Sequence, residues 1–419
     1  MVKKNKALVQ ILIDKGVRIT APESVEIGGD VNPNRISGDN VVIHPGCKVS
    51  GQSSLILKGT RLGAEGPVTV VDCQIGRNVD LKGGFFQNAV LLDGVSAGSG
   101  AHVREGTILE EGASIAHTVG LKQTILFPFV TLGSLINFCD CLMTGGTDRK
   151  NHSEVGSSYI HFNFTPNQDK ATASLIGDVP RGVMLKQAPI FLGGQGGLVG
   201  PCRLEYGTVI AAGTINRNDE LRPDRLIFGG VGRSGNVPFA ARQYHGIKRI
   251  LTNNIIYIAN LFALGQWYDQ VRSLFVSDVF PLTLLEGLQE KLNMAVDERI
   301  ERLGELVHIV AEQETGSQDN LTLSNPLPEG IYDWWPELES FLKTGRNRVG
   351  DPALRDSFLE TICKESDKNG KQYLQAITGL NSDVAEMGTH WLQGIVKEVT
   401  NGAFQIIPIL RACPTTPSP

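Results

Sequence analysis

The sequence predicts a chain in two parts, a parallel β-solenoid followed by an α-helical domain. Two observations predict the solenoid. An aliphatic residue returns at every sixth position over residues 103–121 and 192–215, and most of the 48 glycines lie before residue 235. A third observation predicts the helical part. After Pro238 the apolar residues recur at spacings of three and four, which is the period of an amphipathic helix.

The six-residue repeat fits neither a strand, with a period of two, nor a helix, with a period of 3.6. The recurring aliphatic residues are Val103, Leu109, Ile115 and Leu121 in the first stretch and Leu192, Leu198, Leu204 and Ile210 in the second. This pattern is typical of short strands joined by turns, in which each inward aliphatic side chain stacks on its equivalent in the next coil at ~4.8 Å. Glycine suits the tight corners, because it has no Cβ to strain. We therefore predict roughly ten coils over residues 19–216.

The remaining boundaries follow from changes in composition. Residues 1–18 are expected to cap the open end of the solenoid, since terminal coils need an atypical cover. We predict a linker at 217–238, an α-helical domain at 239–412 and a mobile tail at 413–419. Within the helical domain the apolar spacing predicts helices over 243–277, 281–313, 334–343, 352–366, 370–379 and 383–400.

Composition excludes several classes of function. The formal net charge of −5 opposes general electrostatic binding of nucleic acid. The seven cysteines are scattered and odd in number, which favours reduced thiols over a disulfide framework. No apolar run is long enough to span a bilayer, and because residues 1–16 contain no long apolar run or small-residue cleavage site, we expect no secretory signal. We therefore expect a cytoplasmic protein without a membrane span.

The repeat lapses over residues 144–174, which are rich in polar, charged and aromatic residues. A long irregular insertion in a compact solenoid is usually functional. Histidine is the side chain best suited to exchange protons near neutral pH, so His152 and His161 are candidates for a general base. Each also has a structural interpretation, His152 in a solvated loop and His161 as a hydrogen-bonded strand residue. Lys170 equally fits a surface turn.

Several motifs carry a resemblance to a known family. They are Ile136-Asn137-Phe138-Cys139-Asp140, the loop Gly146-Thr147 to His152, Asn163-Phe164-Thr165 before Lys170, Leu175-Ile176-Gly177-Asp178, and Ile210-Ala211-Ala212-Gly213-Thr214. The chain resembles the left-handed β-helix (hexapeptide-repeat) superfamily. Over residues 132–215 it is similar to the β-helix acetyltransferase half of the group that makes UDP-N-acetylglucosamine. The resemblance implies a left-handed parallel β-helix and a homotrimer.

The same resemblance implies acyl transfer from acetyl-CoA or another acyl-CoA to a sugar phosphate or nucleotide-sugar. His152 or His161 would then be the catalytic base. Arg149, Lys150 and Lys170 would bind the acceptor phosphate, and Asn137 and Asn163 the sugar hydroxyls. The pantetheine arm would lie along Ala211, Ala212 and Gly213. We expect no pyrophosphorylase activity, because the sequence lacks the glycine-rich nucleotide-binding segment of that group.

Two alternatives remain open. One is a metal lyase of the γ-carbonic-anhydrase type, with His117, His152 and His161 as ligands of a zinc-like ion; Cys139 and Cys141 are a weaker indication of metal. The other is a non-catalytic scaffold that binds a sugar nucleotide or trimerises a partner, because fold does not fix function. The helical domain would then dock the partner. The acyltransferase hypothesis assigns no metal ligands, and it leaves open whether a metal takes part.

Overall fold

A computed structural model describes residues 2–229, 246–316 and 331–410 of the chain. The first of these segments is a parallel β-solenoid of about 11 turns, and most of the helices follow it. The predicted fold class, a β-solenoid with an α-helical C-terminal domain, is confirmed. The predicted tail at 413–419 and residues 230–238 of the predicted linker lie outside the described residues.

Each turn of the solenoid contributes short strands to three faces, and strands of one face pair in parallel. Ser96 pairs with Ser114, three hexapeptides later along the chain. The first face consists of Arg18–Ile19, Val42–Ile43, Arg61–Leu62, Asp80–Leu81, Ser96–Ala97, Ser114–Ile115, Thr131–Leu132, Glu154–Val155, Phe191–Leu192, Val209–Ile210 and Leu226–Ile227.

The other two faces belong to one continuous sheet, because two long strands turn a corner and serve both. These long strands are Gly120–Leu126 and Asn137–Met143. The second face also contains Glu26–Ile27, Lys48–Ser50, Val68–Val71, Gly84–Gln87, Ala101–Val103, Ile160–Phe162, Gly197–Val199 and Ile215–Asn216. The third face also contains Leu55–Ile56, Gln74–Ile75, Ala89–Leu91, Thr107–Leu109, Ser174–Ile176 and Arg203–Leu204.

The three faces enclose a prism, and the recurring aliphatic residues fill its interior. Val103 lies on the second face, Leu109 on the third and Ile115 on the first. All three side chains are buried. One hexapeptide therefore carries the chain from one face to the next. Each buried aliphatic side chain stabilises the fold by about 25 cal/mol for every Å² of apolar surface that it removes from water.

The helices, numbered in chain order, are α1 Val2–Asp14, α2 Val179–Gly182, α3 Ile247–Gln266, α4 Leu282–Gly316, α5 Ile331–Gly345, α6 Pro352–Lys368, α7 Tyr373–Thr378 and α8 Ser382–Ile406. Helical turns at Trp267–Val271 and Arg272–Phe275 extend α3. In α1 the Asn5 amide donates to the Val25 carbonyl at 3.1 Å and accepts from the Ile27 amide at 2.6 Å. None of the helices in the described ranges is long and apolar enough to cross a membrane.

The helical domain covers the third face. The side chains that point outwards from this face, Val90, Ile108, Ile125 and Leu142, are fully buried. Helix α4 contacts the strands that hold Val90 and Ile108, and α3 contacts Ser174–Ile176. The approach is close at Gly287 of α4, where a Cβ would lie 2.7 Å from Oε1 of Gln74. The solenoid and the helices therefore share one core, and within the described ranges the main contacts between the C-terminal helices and the strands are all on the third face.

Buried polar contacts also join the two parts. Arg299 of α4 lies 2.8 Å from the Asp140 carboxylate, and Tyr268 donates to Glu110 at 2.6 Å. Arg272 donates to Glu111, also at 2.6 Å. Such pairs fix the position of the helices, because a buried charge without its partner is strongly destabilising.

The lapse of the repeat over 144–174 corresponds to two lengthened corners rather than to one insertion. A hairpin of Gly146–Asp148 and Asn151–His152 forms the first corner, and residues 163–173 form the second. Between them the solenoid continues in register, since Glu154 pairs with Thr131 and Ile160 with Asn137. The expectation of a single irregular segment was therefore wrong.

Candidate functional site

A depression of about 480 Å³ opens on the second face. On this face the outward side chains of successive coils form a ladder, in which His102 pairs with Gly120 and Gly120 with Asn137. Gly120 leaves a gap in the ladder, because the nearest atom to a Cβ there would be Oδ1 of Asn137 at 3.8 Å. The missing side chain at Gly120 deepens the depression, and Arg104 and Ile160 lie at its rim.

The rim of the depression carries groups suited to acid–base chemistry and to anion binding. His102 is exposed, and its ring lies 5.2 Å from the ring of Phe85 in the preceding coil. Arg104 is also exposed, and its Nη2 lies 3.9 Å from Sγ of Cys139. Asn137 is exposed and receives a hydrogen bond from the Cys139 thiol at 3.4 Å. An imidazole, a guanidinium and an amide thus face solvent around one space.

His161 lies in the interior, behind this depression. Its Nδ1 is 2.6 Å from the Cys139 carbonyl, and its Nε2 is 2.8 Å from Oγ of Ser174. Burial lowers the pKa of His161 to about 4, so the ring is neutral at neutral pH. Both ring nitrogens are already within hydrogen-bond distance of protein groups. In this position His161 connects the second and third faces.

Asn163 and Lys170 are partly buried and lie beside the buried Asp140–Arg299 pair. Asn163 donates to the Asp140 carboxylate at 2.9 Å, and Asp140 pairs with Arg299. The Lys170 carbonyl is 3.4 Å from Nη1 of Arg299. The structure therefore brings His161, Asn163 and Lys170 together around an ion pair that joins the solenoid to α4, a grouping that the sequence does not reveal.

His152, Arg149 and Lys150 occupy the hairpin at the corner between the third and first faces. Arg149 donates to the carbonyls of Gly112 and Phe129 at 3.0 and 3.1 Å and to the Thr131 hydroxyl at 2.9 Å. These bonds fasten the hairpin to the earlier coils. Lys150 is exposed, and His152 is partly buried with an Nδ1 that has no hydrogen-bond partner.

Ala211, Ala212 and Gly213 form a corner near the C-terminal end of the solenoid. The Gly213 amide donates to the Gly194 carbonyl at 2.9 Å, and Gly213 has a φ of +74°. Apart from its own chain neighbours, none of the residues that the structure describes has an atom within 4 Å of the position of a Cβ on Gly213. This corner leaves open space beside the backbone, as the predicted contact with a pantetheine arm would need.

The predicted site residues thus fall into four places: the depression with Asn137, the buried group around His161, the hairpin with His152, and the corner at 211–213. Sequence reasoning missed His102 and Arg104. Both alternate with Val103, whose place in the six-residue repeat puts it inside, so an outward position was deducible. Their proximity to Asn137 could not be deduced from the sequence, because it depends on the number of residues in the intervening turns.

The described residues contain no group of three His, Cys, Asp or Glu side chains that could hold a metal ion. The trio His117, His152 and His161 is therefore not assembled within this chain. His117 Nδ1 is instead 2.8 Å from the Ser134 hydroxyl. Cys139 and Cys141 are buried, and burial raises the pKa of both thiols, which opposes the thiolate form that binds metal.

Comparison with known proteins gives relatives for about half of the chain. It is 29% identical to the bifunctional protein GlmU of Thermotoga petrophila over 233 residues, which are 55% of this chain and 45% of the relative. It is 28% identical to bifunctional protein GlmU of Pelobacter propionicus over 209 residues, 50% of this chain and 40% of the relative. The protein of the same name from Streptococcus agalactiae is 31% identical over 156 residues, 34% of this chain and 32% of the relative.

The chain spans less than half the length of these relatives. No family model matches it. The solenoid of about 11 turns is consistent with the hexapeptide-repeat β-helix that the sequence pattern predicts. The chain therefore contains a hexapeptide-repeat parallel β-solenoid and is similar, over about 55% of its length, to bifunctional protein GlmU.

Proposed function

We propose that the protein transfers an acyl group, acetyl in the simplest case, from a CoA thioester to the amine of a sugar phosphate or nucleotide-sugar related to UDP-N-acetylglucosamine. The similarity to bifunctional protein GlmU supports transferase activity. The observation that carries the proposal is the depression on the second face, where an exposed histidine lies beside an arginine and an asparagine. A site of this size and polarity can admit a substrate.

In the proposed reaction the substrate amine attacks the thioester carbonyl. His102 accepts the proton that the amine loses, the C–S bond breaks, and the CoA thiolate leaves and takes up a proton. Arg104 binds the acceptor phosphate and Asn137 a sugar hydroxyl. A backbone N–H at a solenoid corner stabilises the oxyanion of the tetrahedral intermediate.

The other predicted site residues keep a place in the proposal. His152 is a second candidate for the base, because its ring is partly exposed. His161, with both ring nitrogens bonded, is assigned to positioning through Cys139 and Asn137. Arg149 and Lys150 are further candidates for phosphate binding from the hairpin. The corner at Ala211–Gly213 is proposed to contact the pantetheine arm.

We also propose that the protein forms a homotrimer in the cytoplasm. Phe191, Val209 and Leu226 lie outwards in register on the last coils of the first face, and all three are exposed. Exposed apolar side chains in a continuous patch are typical of an interface. The described cysteines are free thiols, as a reducing compartment requires.

Incubation with acetyl-CoA and a panel of hexosamine phosphates, followed by measurement of free thiol, tests the proposal. We expect thiol release with at least one amino-sugar phosphate. His102→Ala should reduce the rate by about 10²- to 10⁴-fold. His152→Ala separates the two candidate bases, and His390→Ala, at an exposed position of α8, is the matched control. Absence of thiol release with every acceptor contradicts the proposal.

A non-catalytic scaffold is the second candidate. It is favoured by the structural bonds of Arg149 and His161, which engage predicted site residues with the protein itself. A chain that assembles and binds a nucleotide-sugar, but releases no thiol from any acyl-CoA, would support the scaffold.

A further inference from the structure

A cavity of about 400 Å³ lies between the third face of the solenoid, near its C-terminal end, and the helices α2, α3 and α8. Helix α2 is bonded to both of the longer helices. Its first amide donates to Asn260 of α3 at 2.9 Å, and its Pro180 carbonyl accepts from Thr389 of α8 at 3.3 Å. Because α2 is fastened on two sides, the walls of the cavity are held in place.

The wall formed by α8 carries a cation without a counter-charge. Gln393, Lys397 and Asn401 are four residues apart, which places them on one side of the helix, and all three line the cavity. Lys397 and Asn401 are exposed and Gln393 is half-buried, so that solvent reaches each of them. Within the described ranges no carboxylate pairs with Lys397, and neither amide side chain is bonded. An ammonium group and two amides are therefore available to a bound molecule.

The other cations at this cavity are already paired. The Arg181 Nε donates to Asp178 at 2.6 Å, and its Nη1 lies 2.8 Å from Glu205. Arg203 lies 3.9 Å from Asp219. A guanidinium that leaves a carboxylate partner leaves that carboxylate unpaired, which is costly at a partly buried site. An added anion would therefore meet Lys397 rather than an arginine.

One positive charge is in excess around the cavity. The charged lining residues are three cations and two carboxylates, Arg181, Arg203, Lys397, Asp178 and Glu205. Behind them Asp219 adds a negative charge, and Arg249, which lies 3.6 Å from Asp219, adds a positive one. A single negative charge would balance the excess, whereas a doubly charged phosphate would reverse it. The electrostatics therefore favour a monoanion.

Apolar side chains complete the lining beside Lys397. Leu221, Ile256 and Val396 line the cavity, and each keeps some exposed surface. An aliphatic chain placed against them would gain about 25 cal/mol for every Å² that it removes from water. The cavity is also within the range of about 300–1,000 Å³ that is usual for small-molecule sites. A molecule with one carboxylate and an aliphatic body matches these features.

We propose that this cavity binds a small aliphatic monocarboxylate, whose carboxylate pairs with Lys397 and accepts hydrogen bonds from Gln393 and Asn401. Its aliphatic chain packs against Leu221 and Val396, and the ligand thus contacts the solenoid and α8 at once. The site shares no lining residue with the depression on the second face. It therefore does not depend on the proposed acyl transfer.

Saturation-transfer NMR on the full-length chain, with hexanoate and octanoate as probes at constant ionic strength, tests the proposal. We expect both to bind. Hexanol, which lacks the charge, and acetate, which lacks the aliphatic body, should bind about tenfold more weakly or less. Inorganic phosphate at the same concentration should not displace hexanoate.

Lys397→Gln should weaken hexanoate binding by about tenfold or more, and Lys397→Arg should retain most of it, because the charge is kept. Lys6→Gln, at an exposed position of α1, is the matched control and should bind as the wild type does. Leu221→Ser should reduce the preference for hexanoate over acetate. Leu282→Ser, at another exposed leucine outside the cavity, should leave that preference unchanged.

His102→Ala should bind hexanoate as the wild type does, whether or not acyl transfer is found, which separates this site from the proposed catalytic one. Binding of hexanoate no tighter than that of hexanol would overturn the proposal. Equal binding by the wild type and Lys397→Gln, or displacement of hexanoate by equimolar phosphate, would do the same.

Discussion

Glu110 and His161 are fully buried titratable residues whose pKa values are displaced in opposite ways. Burial, together with the neighbouring charge of Glu111, raises the pKa of Glu110 to about 7. Burial lowers the pKa of His161 to about 4. In both cases the interior favours the uncharged form. As the pH rises, the contribution of Glu110 to the free energy of unfolding therefore decreases and that of His161 increases, over overlapping pH ranges.

The sign of each contribution follows from proton linkage. Glu110 holds a proton in the folded state that the unfolded chain releases above a pKa of 4.5, so its contribution is present below pH 4.5 and is lost as pH rises to about 7. His161 stays neutral while the unfolded chain binds a proton below 6.5. Its contribution is present above pH 6.5 and is lost as pH falls to about 4.

We predict that Glu110→Gln reveals the histidine contribution. Between pH 6.5 and 4.5 the free energy of unfolding of this variant should fall with acidification more steeply than that of the wild type, by about 1.4 kcal/mol per pH unit. Urea unfolding at several pH values in this range measures it. Glu386→Gln, at an exposed position of α8, should run parallel to the wild type. Parallel curves for Glu110→Gln would contradict the assigned pKa.

The Asp140–Arg299 pair gives a prediction of larger magnitude. Asp140→Asn removes the nearer carboxylate and leaves the buried Arg299 charge with Glu298 alone, 3.6 Å away, and we expect a loss of about 3 kcal/mol in the free energy of unfolding. Adding Arg299→Met should recover much of it. The exposed pair Glu360 and Lys364 is the control, and Glu360→Gln should cost less than about 1 kcal/mol. A small effect of Asp140→Asn would show that water reaches the pair.

At the scale of a single strand, Gly120 defines the depression on the second face. Gly120→Phe should fill that space and abolish acyl transfer while the thermal midpoint stays within a few degrees, because the side chain points outwards from a strand. Thr69→Phe, three coils earlier on the same ladder, is the matched control and should retain activity. Full activity in Gly120→Phe would remove the depression as the catalytic site.

The elements show what the sequence could and could not predict. The solenoid was predictable because every inward position, such as Val103 and Leu109, obeys one period set by the prism. The helices were predictable from their own apolar period. The site was not predictable, because its residues occupy outward positions, where the residue type does not recur from coil to coil. His102 and Asn137 lie on either side of Gly120 only because the turns between them have fixed lengths, and the hairpin at 146–152 changes the length of a later corner.

At the scale of the whole molecule, the helical domain and the solenoid depend on each other. A chain ending at residue 229 would expose Val90, Ile108, Ile125 and Leu142 on the third face. Each side chain carries about 1.5–3 kcal/mol of burial energy. We predict that this truncated chain aggregates, as sedimentation of the lysate and of the purified protein would show. Replacing Val90, Ile108 and Ile125 by threonine should increase its soluble fraction, and a soluble truncated monomer would contradict the dependence.

Because one wall of the prism is permanently occupied by the chain's own helices, only the two remaining walls can meet neighbouring copies. In any closed ring of such copies, the solenoids would surround the central axis and the helical domains would lie on the outside of the ring. Small-angle scattering would then show a ring particle that is broad and lobed rather than slender.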